Sequence, residues 1–137
     1  MNDRRDFLKK SALVAGGIVV AGFKGTHAHA GTFPAGIVYT SGNPGIWAKK
    51  AGSHAPKVNV EGKKITITTM HPMTEKHYIV RHTLVSQDGK VLGEKTFYPT
   101  DKKAVSTYDL SSDHGTGFYA TSFCNLHDFW LTEFTVK

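Results

Sequence analysis

Lys57-Val58-Asn59-Val60-Glu61-Gly62-Lys63-Lys64-Ile65-Thr66-Ile67-Thr68-Thr69 reads as a β-hairpin. Ile65, Ile67 and Thr69 alternate with Lys64, Thr66 and Thr68, the two-residue period of a strand with one buried face, and Glu61-Gly62 supplies the turn. The same pattern recurs downstream. Tyr78 to Ser86 is a strand, Asp88-Gly89 is a positive-φ turn, and Val91 to Tyr98 is the return strand. Pro99-Thr100-Asp101 turns the chain into Ala104 to Leu110; after the polar loop from Ser111 to Gly117 come Phe118 to Phe123 and Asp128 to Val136. About seven short strands at roughly 8–12 residue spacing predict an all-β fold, an antiparallel β-sandwich. The last strand sets Trp130, Thr132, Phe134 and Val136 on one face, the expected core side.

Upstream of the hairpin the pattern is weaker. Residues 31–51 are rich in Gly, Pro and Ser, with Ser41-Gly42-Asn43-Pro44-Gly45 a dense turn cluster. This predicts an irregular leader crossed by one short strand at Gly36 to Thr40, with Tyr39 and Trp47 packed against the body. No stretch after residue 31 has helical periodicity.

The N-terminal 30 residues have a different character. Asp3-Arg4-Arg5-Asp6-Phe7-Leu8-Lys9 precedes an apolar run from Ala12 to Phe23, and Ala28-His29-Ala30 is an A-x-A cleavage pattern. This resembles a twin-arginine export signal, which pairs Arg-Arg with Phe-Leu-Lys at this spacing. About 12 apolar residues interrupted by Gly16, Gly17 and Gly22 fall short of the roughly 20 needed to span a bilayer. The expected organisation is therefore a signal peptide over 1–30 and a single domain over 31–137, working in the periplasm or otherwise outside the cytoplasmic membrane. The export machinery is one implied partner. Five of the 17 basic residues (Arg4, Arg5, Lys9, Lys10, Lys24) and two of the 11 acidic ones (Asp3, Asp6) belong to this segment, so the formal charge of +6 falls to +3 for the body. That is too mild for a nucleic-acid face, and no Lys/Arg run interleaved with aromatics occurs. A domain of about 107 residues buries roughly 60–70% of its unfolded surface, enough to fold without disulfides.

Three segments carry the chemistry: Ser53-His54-Ala55-Pro56, His71-Pro72-Met73-Thr74-Glu75-Lys76-His77 and Cys124-Asn125-Leu126-His127. Together they hold the only cysteine and four of the eight histidines. Each borders a predicted strand, so all three can meet at one end of a sandwich. Thiolate and imidazole are ligands that zinc, copper and iron accept, and a C-x-x-H turn aims both side chains at one point. Five protein ligands exceed a closed tetrahedral zinc site; four imidazoles and one thiolate suit a square-pyramidal iron with one open position. A lone cysteine in an oxidising compartment also forms no intramolecular disulfide, and ligation would protect it. His82 lies within a strand as a packing or surface residue, His114 lies in a polar loop, and His27 and His29 leave with the signal.

His71-Pro72-Met73 with His77 six residues on and Ile79 after it, together with Cys124-Asn125-Leu126-His127 and Trp130, resemble the superoxide reductase family, also called neelaredoxin or the iron centre II domain of desulfoferrodoxin. The resemblance spans about residues 47 to 137. It implies a seven-stranded immunoglobulin-like sandwich and a mononuclear non-haem iron held by His54, His71, His77, His127 and axial Cys124. The implied reaction is one-electron reduction of superoxide to hydrogen peroxide, with an external, unidentified electron donor protein and no dioxygen released. Backbone N–H groups after Cys124, at Leu126 and His127, are the expected donors to its sulfur. The family's rubredoxin-like four-cysteine domain is absent for want of cysteines.

One departure stands out. The family commonly has Glu-Lys before its first histidine, and here Gly52-Ser53 occupy that place. The resemblance implies that the Glu binds the ferric metal and that the Lys draws in superoxide. Lys49, Lys50, Lys57 and Lys76 all lie near ligands in sequence; Lys76 is the preferred substitute, with Glu75 beside it as the replacement carboxylate. Three other readings stay open: a cupredoxin-like electron carrier, a metal-free exported carrier of sulfur compounds, and an iron-binding sensor or scavenger with poor catalysis. Whether the chain is a homo-oligomer is left open too.

Overall fold

The computed structural model describes residues 36–111, 113 and 115–137. The export signal, the cleavage pattern, His27, His29 and His114 lie outside the described residues. Among the described residues eight strands form two sheets, against the seven or so expected: β1 (Val38–Tyr39), β2 (Lys57–Glu61), β3 (Lys64–Thr69), β4 (Ile79–Ser86), β5 (Val91–Thr96), β6 (Ala104–Asp109), β7 (Gly117–Cys124) and β8 (Asp128–Thr135). One sheet has the order β1-β8-β7-β4-β5 and the other β2-β3-β6. All pairings are antiparallel except the short β1, which runs parallel to β8.

The hairpin that opens the sequence argument forms with Val60 opposite Ile65 and Glu61 opposite Lys64. Its tip is therefore Gly62-Lys63, one residue later than expected, and Gly62 takes the positive φ of 61° that the tight reversal requires. Ile65, Ile67 and Thr69 are buried, as the alternation predicts. Ile65 and Ile67 face Leu84, Phe118 and Ala120 of the larger sheet, forming an apolar cluster that Leu110 completes. Trp130 is fully buried on β8, packed with Tyr39 and Ala55 under Trp47.

Strand β4 departs from simple alternation. A bulge between Ile79 and Arg81 inserts one extra residue against β7, so Ile79 opposes Cys124 while His82 opposes Ser122. Both Ile79 and His82 consequently point inward although they are three residues apart.

The expectation of no helix needs correction. Gly45–Lys50 is a 3-10 segment, kinked at Trp47, that runs into α1 (Ala51–His54). Ala48, Lys49, Lys50 and Ala51 are good helix formers. The segment is too short to display a 3.6-residue period and too short to be stable without the packing of Trp47 and Ala51 on the body.

His82 is completely buried, and burial lowers its pKa to about 4, with Lys95 adding a smaller effect in the same direction. The unfolded chain takes up that proton near pH 6.5 and the folded chain does not. The folded state is therefore unpenalised above pH 6.5 and loses stability as pH falls toward 4, by on the order of 3 kcal/mol for this residue. Buried His54 and His71, also lowered to about 4, add to the loss in the same window. Urea unfolding of the chelator-treated protein should show a midpoint falling steeply between pH 6.5 and 4; a flat profile would contradict these shifts.

Candidate metal centre

The ends of β3, β4, β7 and β8 at one pole of the sandwich, with α1 laid across them, bring the three predicted segments together. His54, the last residue of α1, is 1% exposed. Its Nδ1 lies 3.1 Å from the carbonyl of Lys50, one helical turn back, and 2.8 Å from Ser53 Oγ. A proton donated from Nδ1 to that carbonyl leaves Nε2 as the lone pair that faces the cluster. His71 follows β3, its backbone N–H bonded to the Thr69 carbonyl at 2.8 Å. A Thr74–His77 turn closes the loop that carries His77. Asn125 clamps this loop to the Cys124–His127 turn: its Nδ2 donates to the Lys76 carbonyl at 3.0 Å, and its Oδ1 accepts from the Tyr78 N–H at 3.0 Å.

His54, His71, His77, Cys124 and His127 each present one ligand atom, and these atoms all lie within 4.8 Å of one another. His71 Nε2 is 2.9 Å from His77 Nε2, which is 2.9 Å from His127 Nδ1, which is 2.9 Å from His54 Nε2. Cys124 Sγ is 3.7 Å from the same His127 Nδ1. Three imidazoles therefore converge through Nε2 and one through Nδ1.

The donor set fits a metal ion. Nitrogens spaced 2.9 Å apart along three successive edges match a shared centre roughly 2.0–2.1 Å from each, at near-right angles. Hydrogen bonding alone accounts for them poorly. A neutral imidazole has one N–H, and His127 Nδ1 faces two other ring nitrogens at once. Protonation does not help either, because burial and the neighbouring rings lower His54 and His71 to about 4, and burial also lowers His77 and His127. Neutral imidazoles with converging lone pairs are what a cation needs. Among the described residues, His71 Nδ1 is a buried polar atom left without a hydrogen-bond partner.

Burial raises the Cys124 thiol, while the backbone N–H groups of Leu126 and His127 pull it back down. These are the two donors expected from the turn. Cys124 packs with Ile79, Phe97 and Ala104, and Met73 covers this group. The two imidazoles that are not fully buried, His77 and His127, form the open lip of the site.

Glu75 and Lys76 are exposed in the loop between His71 and His77. Behind burial, two charges are felt at the site: Lys50 lowers His71, His77, His127 and the Cys124 thiol, while the Asp128 carboxylate raises His127 and the thiol. Lys50 lies one turn before His54 on the short helical segment, and the sequence offered it only as one of four nearby lysines. Two further contacts have no sequence signal. Trp47 places its ring edge-on to His127 and donates from Nε1 to Asp128 Oδ2 at 2.7 Å. Trp130 donates from Nε1 to the His127 carbonyl at 2.8 Å, with its ring 5.9 Å from that of His54.

A two-sheet sandwich that closes one pole with four imidazoles and a thiolate defines a class of β-proteins with a nitrogen–sulfur donor cluster. The family model of desulfoferrodoxin matches residues 45–133, and the chain belongs to that family. Solved structures agree. The chain is similar to a variant of the superoxide reductase (neelaredoxin) of Ignicoccus hospitalis, at 25% identity over 78% of this chain and 98% of that one, with a TM-score of 0.65. It is also similar to the superoxide reductase (1Fe-SOR) of Giardia intestinalis, at 26% identity over 61% of this chain and 98% of that one, with a TM-score of 0.56. For the superoxide reductase of Treponema pallidum the identity is 27% over 62% and 69% of the two chains, with a TM-score of 0.52. No curated protein sequence matches.

Proposed function

We propose that this chain is a superoxide reductase in which His54, His71, His77, His127 and Cys124 hold one mononuclear non-haem iron. The observation that carries the reading is the convergence of these five side chains within 4.8 Å. Family membership supports iron over the copper of a cupredoxin, and a reductase over a metal-free carrier. These residues would hold an iron whose chemistry would be one-electron transfer to superoxide, with an external donor protein returning the electron. The overall change is superoxide plus one electron plus two protons giving hydrogen peroxide.

The chain's own groups set the conditions. The four imidazoles are neutral at physiological pH, and the thiol gives up its proton on metal binding, so uptake is favoured as pH rises. The sulfur then carries the only anionic ligand charge, moderated by the N–H groups of Leu126 and His127. Trp47 and Trp130 fix the His127 turn from two sides. The lip formed by His77 and His127 is where a small anion enters, and water there can deliver protons. Metal analysis of the purified full-length chain should find one iron per chain, and superoxide should be consumed by the reduced protein. Copper in place of iron, or no metal, would overturn the reading.

Lys50 is proposed as the cation that draws superoxide to this lip, in the role expected of Lys76 from its place beside His77. A positive charge near the entrance raises the encounter rate of a small anion and is screened by salt. Lys50→Ala is expected to slow superoxide binding severalfold at low ionic strength and to flatten its salt dependence, with a smaller effect from Lys76→Ala. The opposite order would return the role to Lys76. Glu75, exposed in the same loop, is the proposed stand-in for the carboxylate missing before His54. Export through the twin-arginine pathway to the periplasm is proposed from the sequence alone. Replacing Arg4 and Arg5 by Lys should leave the protein in the cytoplasm.

A further inference from the structure

One buried polar group has no part in the metal site. His82, fully buried, places Nδ1 2.9 Å from Ser106 Oγ and Nε2 2.9 Å from Thr69 Oγ1, and Thr69 Oγ1 is 2.9 Å from Ser122 Oγ. One direction satisfies every contact. Ser106 donates to Nδ1, Nε2–H donates to Thr69, and Thr69 donates to Ser122.

The chain crosses the sandwich. Thr69 and Ser106 belong to the three-stranded sheet, His82 and Ser122 to the five-stranded one. It also lies between two apolar clusters, with Ile67, Leu84 and Ala120 on one side and Ile79, Phe97, Ala104 and Cys124 on the other. Buried polar groups in such a layer add little stability over well-packed apolar ones. Their geometry is directional, so they fix how two surfaces meet. What they fix here is close to the donor cluster. Ser122 is two residues before Cys124 on the same inward face of β7, and the Thr69 carbonyl accepts the backbone N–H of His71 at 2.8 Å. The His82 ring also meets Phe97 edge-on at 4.8 Å, and Phe97 packs with Cys124.

We propose that the Ser106–His82–Thr69–Ser122 chain is a positioning device, locking the two sheets in register one layer beneath the centre and so fixing the separation of His71 on one sheet from Cys124 on the other. The proposal rests on the reading that these residues bind iron. His82 touches neither metal nor substrate and acts through the strands that carry the ligands. Groups hydrogen-bonded directly to metal ligands typically change affinity by about 10–100-fold when removed, and a network one step further out is expected at the low end of that range.

The test uses the full-length protein. Thr69→Val keeps the side-chain shape and removes the hydroxyl that links the sheets, whereas Thr69→Ser keeps the hydroxyl. Fe(II) affinity is measured by chelator competition, and the sulfur-to-iron charge-transfer band is recorded after oxidation. Thr69→Val is expected to weaken Fe(II) binding about tenfold and to move the band, with Thr69→Ser close to wild type. A network that only stabilises the fold would lower the urea midpoint of the metal-free protein and leave band and affinity alone, which would overturn the proposal. If Thr69→Val does not fold, Ser122→Ala decides: a shifted band supports the proposal and an unmoved one overturns it. A wild-type chain that takes no iron overturns both readings, whereas unchanged variants of an iron-binding wild type overturn this one alone.

Discussion

Cys124→Ser is expected to abolish the sulfur-to-iron charge-transfer absorption of the oxidised protein and to cut superoxide reduction by more than about tenfold, since even groups outside the ligand shell are worth that much. Cys124 is 1% exposed and packed with Ile79, Phe97 and Ala104, and a slightly smaller hydroxyl disturbs this environment little. The change is therefore chemical more than structural. A serine hydroxyl does not ionise near neutral pH, so the site loses its thiolate and the electron density that a thiolate provides. The histidines alone still hold four of the five donor atoms, so iron binding should weaken rather than vanish. An unchanged spectrum would remove Cys124 from the ligand set.

Trp130→Ala is expected to give the largest loss of stability. The indole is fully buried, its ring 5.6 Å from that of Tyr39, and it forms one cluster with Tyr39 and Ala55. Truncating a buried Trp costs about 3–5 kcal/mol. In a domain of this size that lowers the melting temperature by roughly 15–30 °C. The loss also reaches the site, because Trp130 Nε1 donates to the His127 carbonyl and the ring lies against His54. Metal retention should fall along with melting temperature. Trp130→Phe, which keeps the ring and loses the donor, should recover most of the stability and less of the metal affinity. Equal recovery of both would limit Trp130 to a packing role.

The β-strands were legible because each carries its own signal. Ile65, Ile67 and Thr69 alternate, Gly62 and Gly89 mark reversals with positive φ, and Trp130, Thr132 and Phe134 of β8 are more buried than Glu133 and Thr135, although Leu131 is buried as well. The five chemistry-bearing residues were legible as a group because they sit at strand ends, and the fold collects strand ends at its poles. The bulge at Ile79–Arg81 was not readable, since one extra residue leaves no mark in composition. Neither was the helical segment at Gly45–His54, because six 3-10 residues kinked at Trp47 followed by four α-helical ones sustain no 3.6-residue period. That segment carries Lys50, so the cation nearest in effect could not be separated from Lys49, Lys57 or Lys76 by position in the chain. The role of His82 was hidden for a related reason. A histidine within a strand shows neither its facing direction nor its partners until the bulge and the opposing sheet are in place.

Reduction and dismutation of superoxide differ in the product ratio of a superoxide pulse. The reduced, iron-loaded protein, mixed with less than one equivalent of superoxide, is predicted to yield one hydrogen peroxide per superoxide consumed and no dioxygen. Half that yield of peroxide, with dioxygen making up the balance, would mark dismutation and contradict the account, as would decay of superoxide at its unassisted rate.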